Sequence, residues 1–462
     1  MLRKLWADFV YQPHQVEGIQ WMLGREAQTE TPSGGILCDE MGLGKTIQML
    51  GLMKESKKAK TLLIGPLAVL SQWEDAAKKA DFQIWTSHPT KAKWISSSKI
   101  DPEKLNLYLL NYERATHRPA LVTNVEWSRV IFDEAHKIGN TKTKIYKTAA
   151  NINALHKWFL TATPITNSIL NAVSLFQILG IENPAKTIHS LKPLISELVL
   201  CRKMEDLRAI IPSLPEAAES VKHLLDFDST EEEEFYRGIQ GILQNRWKMT
   251  EQENNGGAEM LRIIIRLRQI SIHPQVYIAA RKKNWANYTR EDFLEPSTKF
   301  NKLQELIENG SKAKENHRWL VFCHFHEEME LLQEYLQDSF VVRECGIYNG
   351  KLTQSERNDI LEKSKEPLYG IQQEVLLVQL QSGGVGLNLQ QFDRIVFMGP
   401  WWTAAIMDQA IGRAVRIGQT KKVIVHHLLL KEEESMNIDK RMIEKAEEKR
   451  TLCDEFLSYA KS

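Results

Sequence analysis

The chain has 462 residues, 43% of them hydrophobic, which is enough for two or more domains with separate cores. Its 60 lysines and arginines nearly balance its 59 aspartates and glutamates. This balance excludes a strong overall positive field, so any contact with nucleic acid must come from a local patch.

The cysteines and the N-terminal segment exclude further classes of protein. The five cysteines form no CxxC motif and no Cys/His cluster, which argues against a disulfide framework and against a zinc module. Asp8 interrupts the N-terminal segment before an apolar signal-peptide region forms, and no apolar run approaches the roughly 18 residues needed to span a bilayer. We therefore expect a protein of a reducing compartment that is neither secreted nor embedded in a membrane.

Residues 13–24 predict a helix ahead of the first glycine-rich turn. Apolar side chains, among them Val16, Ile19 and Met22, recur there at roughly helical spacing. Two interpretations of this helix stay open. It either serves packing alone, or it uses Gln15, whose amide can both donate and accept a hydrogen bond, to read the edge of an adenine ring.

A glycine-punctuated turn within residues 34–46, GGILCDEMGLGKT, predicts a phosphate-binding loop. Its glycines let backbone amides turn towards phosphate oxygens, its lysine can reach the β- and γ-phosphates, and its threonine can place a hydroxyl on Mg²⁺ as a helix begins at Ile47. The usual pattern has a glycine where this chain has Asp39, so an ordinary strand-to-helix turn is the alternative. The predicted nucleotide-binding residues of this loop are Gly42, Leu43, Gly44, Lys45 and Thr46.

Short apolar runs alternate with helical stretches through the first part of the chain. The runs at residues 62–64, 105–110, 129–132 and 158–160 predict a parallel sheet flanked by helices. One run ends directly in Asp133 and Glu134. At the carboxyl edge of such a sheet, where ligands bind, Asp133 can hold the water shell of Mg²⁺ while Glu134 orients and deprotonates the attacking water. The alternative is a pair of solvated acids that cap a helix.

The pattern changes between residues 191 and 296, where strand signals vanish and we predict helices. Strand signals resume at residues 319–324, 375–378, 395–398 and 423–426, so a second α/β domain begins near Ser297. The predicted parts are an ATP-binding first domain at 1–212, a linker with a helical insertion at 213–296, a second domain at 297–445 and a helical C-terminal tail at 446–462. A glycine-rich turn at 379–389 offers backbone amides to a phosphate, although such turns are common.

Three polar residues in MDQAIGRAVRIGQ, at positions 407–419, are spaced for one face of a helix. Gln409, Arg413 and Arg416 stand at i, i+4 and i+7. The arginines then either supply bidentate charge to a γ-phosphate held by the first domain, which makes the active site composite, or form ordinary surface ion pairs.

The order of these segments resembles helicase superfamily two. The segments are Gln15 in its GIQWM context, DEMGLGKT, LLIGP, NYE at 111–113, DEAH, LTATPITN, SGGVGLNL and QAIGRAVRIGQ. The wording DEMGLGKT and the ending RIGQ are similar to the Swi/Snf-like branch, which comprises ATP-driven double-stranded-DNA translocases, including chromatin remodellers. The resemblance covers about residues 13–430, and the chain departs from the family at Cys38, Ala162 and Asp408 without touching the phosphate chemistry.

The resemblance implies an α/β fold of two RecA-like lobes with a helical insertion between them. It implies ATP and Mg²⁺ as cofactors, with Thr46 and Asp133 at the metal, and it adds Gln15 and Gly386 to the nucleotide contacts. Arg413 and Arg416 would act as arginine fingers. The implied catalytic residues are Lys45, Asp133, Glu134, Gln409, Arg413 and Arg416.

The resemblance also implies that double-stranded DNA is the partner, bound mostly through its phosphates. DNA-bound proteins such as nucleosomes or transcription complexes would be the cargo of a monomeric motor in the nucleus or another DNA-containing compartment. The predicted function is therefore a DNA-dependent ATPase that translocates along duplex DNA, and the alternatives are a strand-separating RNA or DNA helicase and an ATP-dependent protein-remodelling switch. The implied DNA contacts are Ser71, Asn111, Tyr112, Ser382 and Gly383.

Overall fold

The computed structural model divides the chain into two compact α/β units. The first comprises Met1–Leu214 and Glu448–Ser462, and the second comprises Pro215–Glu447. The structure describes residues 2–28, 32–58, 60–212, 214–251, 257–285, 287–368, 372–380, 388–416, 418–431 and 437–461. Within these ranges, no helix combines the length and the apolar character that crossing a membrane requires.

The first unit is built on an almost entirely parallel sheet. The strands that form it within the described ranges are β1 Gly34–Leu37, β2 Lys60–Gly65, β3 Gln83–Ser87, β4 Trp94–Ser96, β5 Asn106–Asn111, β6 Trp127–Asp133, β7 Ala154–Leu160 and β8 Val199–Leu200. Their order is β4-β3-β5-β2-β6-β7-β1-β8, and among these strands only β3 and β4 pair antiparallel.

The carboxyl ends of the central strands are level with one another. Leu37 of β1 pairs with Leu160 of β7, and Leu160 pairs with Asp133 of β6. On the other side of β6, Gly65 of β2 pairs with Asn111 of β5. Parallel strands lie about 4.8 Å apart, so the residue that precedes the glycine-rich loop and the first acid of DEAH are about 10 Å apart along one edge.

Helices cover both faces of this sheet, because its central strands are buried on both sides and must be shielded from water. They are α1 Pro13–Ala27, α2 Lys45–Ser56, α3 Leu67–Lys79, α4 Tyr112–His117, α5 Ala120–Thr123, α6 Lys144–Ala150, α7 Leu170–Leu179, α8 Ile188–Leu198 and α9 Met204–Leu207, with a 3-10 turn at Ala135–Ile138. The predicted strands and the helix at residues 13–24 are confirmed, whereas α2 begins at Lys45 and not at Ile47.

Residues 448–462 also belong to the first unit. Phe456 is fully buried in its core, with its ring centroid 6.4 Å from that of Phe176. The backbone amide of Lys461 donates to the Val199 carbonyl at 2.9 Å, which extends the pairing at the β8 edge of the sheet. Burying a phenylalanine side chain contributes about 1.5–3 kcal/mol, so residues 448–461 are part of this core as well as a helical tail.

The second unit contains a parallel sheet whose described strands are β9 Glu219–Leu225, β10 Arg318–Cys323, β11 Val342–Tyr348, β12 Gln373–Gln379, β13 Arg394–Phe397 and β14 Ile424–Leu430. Their order is β11-β12-β10-β13-β14-β9. Its described helices are α10 Thr230–Thr250, α11 Gly257–Ile272, α12 Pro274–Asn284, α13 Thr298–Lys312, α14 His326–Gln337, α15 Gln354–Lys363, α16 Ala404–Ile411 and α17 Ile438–Ser458, the last of which ends in the first unit.

The prediction that residues 191–296 contain no strand is wrong. Strand β8 lies in this range, and β9 lies within the segment predicted as a linker and helical insertion. Strand β9 pairs with β14 along its whole length but occupies the edge of the sheet, so it carries an alternation of exposed and half-buried residues in place of an apolar run. The helices predicted after it are present as α10, α11 and α12.

Candidate nucleotide-binding site

The glycine-rich loop follows β1 at the carboxyl edge of the first sheet and leads directly into α2. Gly42 and Gly44 have φ of 93° and 81°, in the left-handed region where residues with a Cβ are strained. A Cβ on Gly44 would also lie 2.6 Å from the amide nitrogen of Gln15. Both glycines are therefore required by the shape of the loop, as the sequence pattern predicts.

Lys45 is the first residue of α2, and its ammonium group lies over the start of the loop. Its Nζ donates to the carbonyl oxygens of Asp39 at 2.6 Å and Glu40 at 3.4 Å. The amino end of a helix and these inward-turned loop amides form a concavity that favours anions. The arrangement suits a phosphate group beside the lysine.

Helix α1 contacts this loop through two neighbouring side chains. The Nε2 atom of His14 lies 2.8 Å from the Leu43 carbonyl oxygen, and the Gln15 amide donates to the same oxygen at 3.4 Å. Gln15 also accepts from the Gln12 backbone amide at 3.1 Å, and its side chain is buried. The helix therefore packs on the loop, and the role of Gln15 at an adenine ring stays a prediction.

Asp133 is the last residue of β6, and both of its carboxylate oxygens accept hydrogen bonds. The indole Nε1 of Trp73 donates to Oδ2 at 2.7 Å, and the backbone amide of Glu134 donates to Oδ1 at 2.9 Å. Burial, reinforced by the nearby Glu134 carboxylate, raises the pKa of Asp133 to about 6. A cation close to Asp133 would offset this destabilised charge.

Glu134 has φ 51° and ψ 51°, a left-handed conformation that is uncommon for a residue with a side chain. This backbone turn ends β6 and starts the 3-10 turn at Ala135–Ile138. Its Oε2 lies 3.5 Å from Nδ1 of His136. Because burial lowers the pKa of His136 to about 4, the imidazole is neutral at pH 7 and this contact is not a salt bridge.

Two residues that no sequence pattern indicates support this site: Trp73 binds Asp133, and Arg202 binds the loop residue Asp39. Trp73 lies on α3, 60 residues before its acceptor, and Arg202 lies 163 residues after Asp39. The departure at Asp39 was the available signal, because a carboxylate in a phosphate loop needs a partner once it is buried.

The predicted DNA contacts in the first unit differ in accessibility. Ser71 is exposed on α3. Asn111 is half-buried and caps α4, with its Oδ1 accepting from the Arg114 amide at 2.9 Å. Tyr112 is only 1% exposed, and its hydroxyl donates to the Asp133 carbonyl at 2.8 Å. Its side chain is a core element that supports the DEAH segment, so the hydroxyl does not face solvent, and a contact between the Tyr112 backbone and DNA stays a prediction.

In the second unit, the three residues predicted to share a helical face do not lie on one helix. Helix α16 ends at Ile411, because the next residue, the C-cap Gly412, is a poor helix former. Arg413 lies in the following turn, where its carbonyl accepts from the Leu389 amide at 3.1 Å. Gln409 and Arg413 are buried, and Arg416 is half-buried, with its pKa lowered by burial. Ser382, Gly383 and Gly386 lie outside the described residues.

The turn that carries the arginines is held by the amide of Gln419. Its Nε2 donates to the carbonyl oxygens of Gln390 at 2.8 Å and Phe392 at 3.2 Å. Gly418, with φ of 104°, precedes it in the left-handed region. The Gly-Gln pair of RIGQ is therefore explained by the shape of this turn.

Two protein-family models match the chain. The SNF2-related domain matches residues 14–187, which contain the phosphate loop and DEAH. The helicase conserved C-terminal domain matches residues 298–418, which contain Gln409, Arg413 and Arg416.

Individual relatives match over almost the whole chain. An uncharacterized ATP-dependent helicase of Mycoplasma pneumoniae is 27% identical over 96% of the chain, and the CHD3-type chromatin-remodeling factor CHR7 of Arabidopsis thaliana is 25% identical over 92%. The chain spans 42% and 36% of these two proteins. A structure of the Sulfolobus solfataricus SWI2/SNF2 ATPase core in complex with dsDNA is 24% identical, with a TM-score of 0.43 and coverage of 100% of this chain and 99% of that one.

Proposed function

Because the chain belongs to the Snf2-like family of helicase superfamily two, we propose that it is a DNA-dependent ATPase that uses hydrolysis to move along double-stranded DNA. One observation of the structure carries this proposal. The phosphate loop and the Asp133–Glu134 pair lie at one edge of the same parallel sheet, where a nucleotide and an attacking water would meet. CHR7 is named as a chromatin-remodeling factor, which supports DNA-bound protein as the cargo of this motor.

The chain's own residues account for the binding of ATP. Loop amides near Gly42 and Gly44 receive phosphate oxygens, and the Lys45 ammonium moves from the loop carbonyls onto the β- and γ-phosphates. Glu134 orients the attacking water and takes its proton, which general-base catalysis requires. Thr46 and Asp133 would hold Mg²⁺ through hard oxygen ligands, and the bound ion would neutralise phosphate charge.

The electrostatics of Asp133 fit a divalent cation. Its largely buried carboxylate has a pKa raised to about 6, which means that its negative charge is incompletely compensated within the chain. A second acid, Glu134, follows it directly and increases the negative potential. A cation held by Asp133 would stabilise the buried carboxylate and offset its repulsion from Glu134.

The test is the rate of ATP hydrolysis by the protein alone and with single-stranded DNA, RNA or duplex DNA. We expect duplex DNA to stimulate turnover most, and Lys45→Ala to abolish the stimulated rate because it removes the loop's side-chain cation. Equal stimulation by single strands would favour a strand-separating helicase. Turnover that no nucleic acid changes would favour a protein-remodelling switch.

A further inference from the structure

A buried ion pair holds the start of the phosphate loop. Asp39 is 0% exposed, and Arg202 is 4% exposed. The guanidinium binds the carboxylate with two parallel hydrogen bonds, from Nε to Oδ1 at 2.9 Å and from Nη2 to Oδ2 at 2.5 Å. This fork-to-fork geometry fixes the orientation of both groups. Asp39 occupies the place where the usual loop pattern has a glycine.

Two helices complete the network around this pair. The Gln48 amide on α2 donates to Asp39 Oδ2 at 2.8 Å, and its oxygen accepts from Arg202 Nη2 at 2.8 Å. Arg202 Nη1 donates to the carbonyl of His14 on α1. Gly18 lets α1 approach, because a Cβ there would lie 1.9 Å from the Gln48 oxygen. A satisfied polar network in a buried site is rigid.

The segment that carries Arg202, residues 199–212, also contacts the loop along its backbone; we call it the strap. The Cys38 amide donates to the Leu200 carbonyl at 2.7 Å, and the Glu40 amide donates to the Arg202 carbonyl at 3.0 Å. The Glu40 carboxylate accepts from the Met204 amide at 2.6 Å. The β1–β8 pairing therefore continues past both strands into the phosphate loop.

The strap also holds the far side of the loop through apolar contacts. Leu43 is 0% exposed and packs in a small cluster with Met204, Leu207 and Ile211 of the strap. Its backbone carbonyl bonds to His14. The loop is thus held at its first residues by an ion pair and at Leu43 by burial.

We infer that Arg202 is a positioning residue for the phosphate loop, which it orients through Asp39. Asp39 lies beside the predicted phosphate site, because its backbone carbonyl accepts a hydrogen bond from Lys45 Nζ at 2.6 Å. Arg202 thereby sets the place of the residue whose carbonyl lies beneath the lysine. This inference rests on the proposed function, because it assigns Arg202 to the binding of the nucleotide that this loop takes.

The chain offers a matched control for a role in stability alone. Arg129 binds Glu26 with the same fork geometry, at 2.7 and 2.6 Å, and both side chains are equally buried. Arg129 belongs to the same unit but lies near the amino end of β6, at the opposite edge from the phosphate loop. Its loss disturbs the fold without touching the loop.

The experiment compares Arg202→Lys with Arg129→Lys in the full chain, by titration with a fluorescent ATP analogue at a temperature where melting curves show both to be folded. A lysine keeps the charge but loses the fork, so we expect Arg202→Lys to weaken analogue binding by about tenfold and Arg129→Lys by less than about twofold. Hydrogen exchange of the amides in residues 38–46 should become faster in Arg202→Lys only.

Parental affinity in folded Arg202→Lys, or an equal loss in Arg129→Lys, overturns the inference. Should Arg202→Lys fail to fold, Gln48→Met decides, since it removes two bonds of the network and leaves the ion pair. We expect about threefold weaker binding from Gln48→Met, and parental binding would overturn the inference. Failure of the parent protein to bind the analogue would instead refute the proposed function, whereas a bound analogue that Lys45→Ala releases upholds it.

Discussion

At the scale of single residues, the DEAH segment combines a strained backbone with a carboxylate whose charge is poorly compensated. Glu134 adopts a left-handed conformation directly after the last residue of β6. Strained residues of this kind persist where the surrounding structure holds them, and they are frequent at functional sites. The Tyr112 hydroxyl on the Asp133 carbonyl and the Glu134 amide on the Asp133 carboxylate supply that support.

If Glu134 is the catalytic base, its replacement should lower the rate of ATP hydrolysis without weakening the binding of ATP. Glu134→Gln keeps the size of the side chain but cannot take a proton, so the ATPase rate should fall by about two to four orders of magnitude. Affinity for a fluorescent ATP analogue should stay close to that of the parent. A near-parental rate in the folded variant would show that the acid pair is structural.

The hydrogen bond from Trp73 to Asp133 predicts an effect of Trp73 on stability and turnover that no sequence pattern indicates. Trp73→Phe keeps an aromatic ring but removes the hydrogen bond to the Asp133 carboxylate, which should lower the free energy of unfolding by about 1.5–3 kcal/mol at pH 8 and reduce turnover. Trp127→Phe is the control, because its Nε1 donates at 2.8 Å to a backbone carbonyl, that of Val122. Urea unfolding and ATPase rates that do not differ between the two variants would contradict a functional role for Trp73.

The ATPase rate of the variant Arg416→Ala tests whether the second unit contributes to hydrolysis. If it acts as an arginine finger, Arg416→Ala should lower DNA-stimulated turnover by about three to five orders of magnitude, equivalent to about 4–7 kcal/mol of transition-state stabilisation. Analogue binding should change little. Arg416→Lys should rescue poorly, because an ammonium lacks the planar fork. Parental turnover by an Arg416→Ala protein with an unchanged melting curve would favour the protein-switch alternative.

At the scale of elements, helix α14 in the second unit depends on a buried acid. Glu328 is 0% exposed, and its Oε2 accepts from the amides of His324 at 2.7 Å and Phe325 at 3.0 Å, at the start of the helix. The first amides of a helix find no acceptor among its own backbone carbonyls, and the Glu328 carboxylate supplies one at this end of α14. Burial raises the pKa of Glu328 to about 7, although the neighbouring amides and Arg268 oppose this shift.

This raised pKa predicts the pH dependence of stability. The folded state holds the proton of Glu328 more tightly than the unfolded state, so the stability that Glu328 contributes is present at pH 4.5 and is lost as the pH rises through 7. The unfolding free energy of the parent relative to Glu328→Gln should therefore fall by up to about 3 kcal/mol between pH 4.5 and 8. Urea unfolding of both proteins across this range measures the difference, and parallel pH profiles would contradict the prediction.

At the scale of the whole molecule, the balance of charge shapes how DNA would be bound. The formal net charge is +1, so attraction to DNA must come from local contacts with phosphates. Such contacts release counterions, and the duplex concentration for half-maximal stimulation should rise by more than about tenfold between 50 and 200 mM salt. Duplexes of unrelated sequence should stimulate alike. Stimulation that is insensitive to salt, or specific to one sequence, would contradict contacts made mainly through phosphates.

The sequence by itself determined the features that depend on residues close together in the chain. The glycines of the phosphate loop, the acids that end β6 and the apolar strands of both sheets are local patterns, because backbone conformation and burial of a central strand are set by the residues themselves. The order of the motifs along the chain likewise indicates the family, since it depends only on which residues follow one another.

Only the tertiary structure decided which residues meet. Strand β9 is defined by its pairing with β14, some 200 positions later, and not by an apolar run of its own. Helix α16 ends at Ile411, so Arg413 does not lie on the same helix as Gln409, although their spacing predicted one helical face. The side chain of Tyr112 points into the core and is buried. Arg202 reaches Asp39 across 163 residues. Contacts of this range depend on how strands pair and helices pack, which no local pattern encodes.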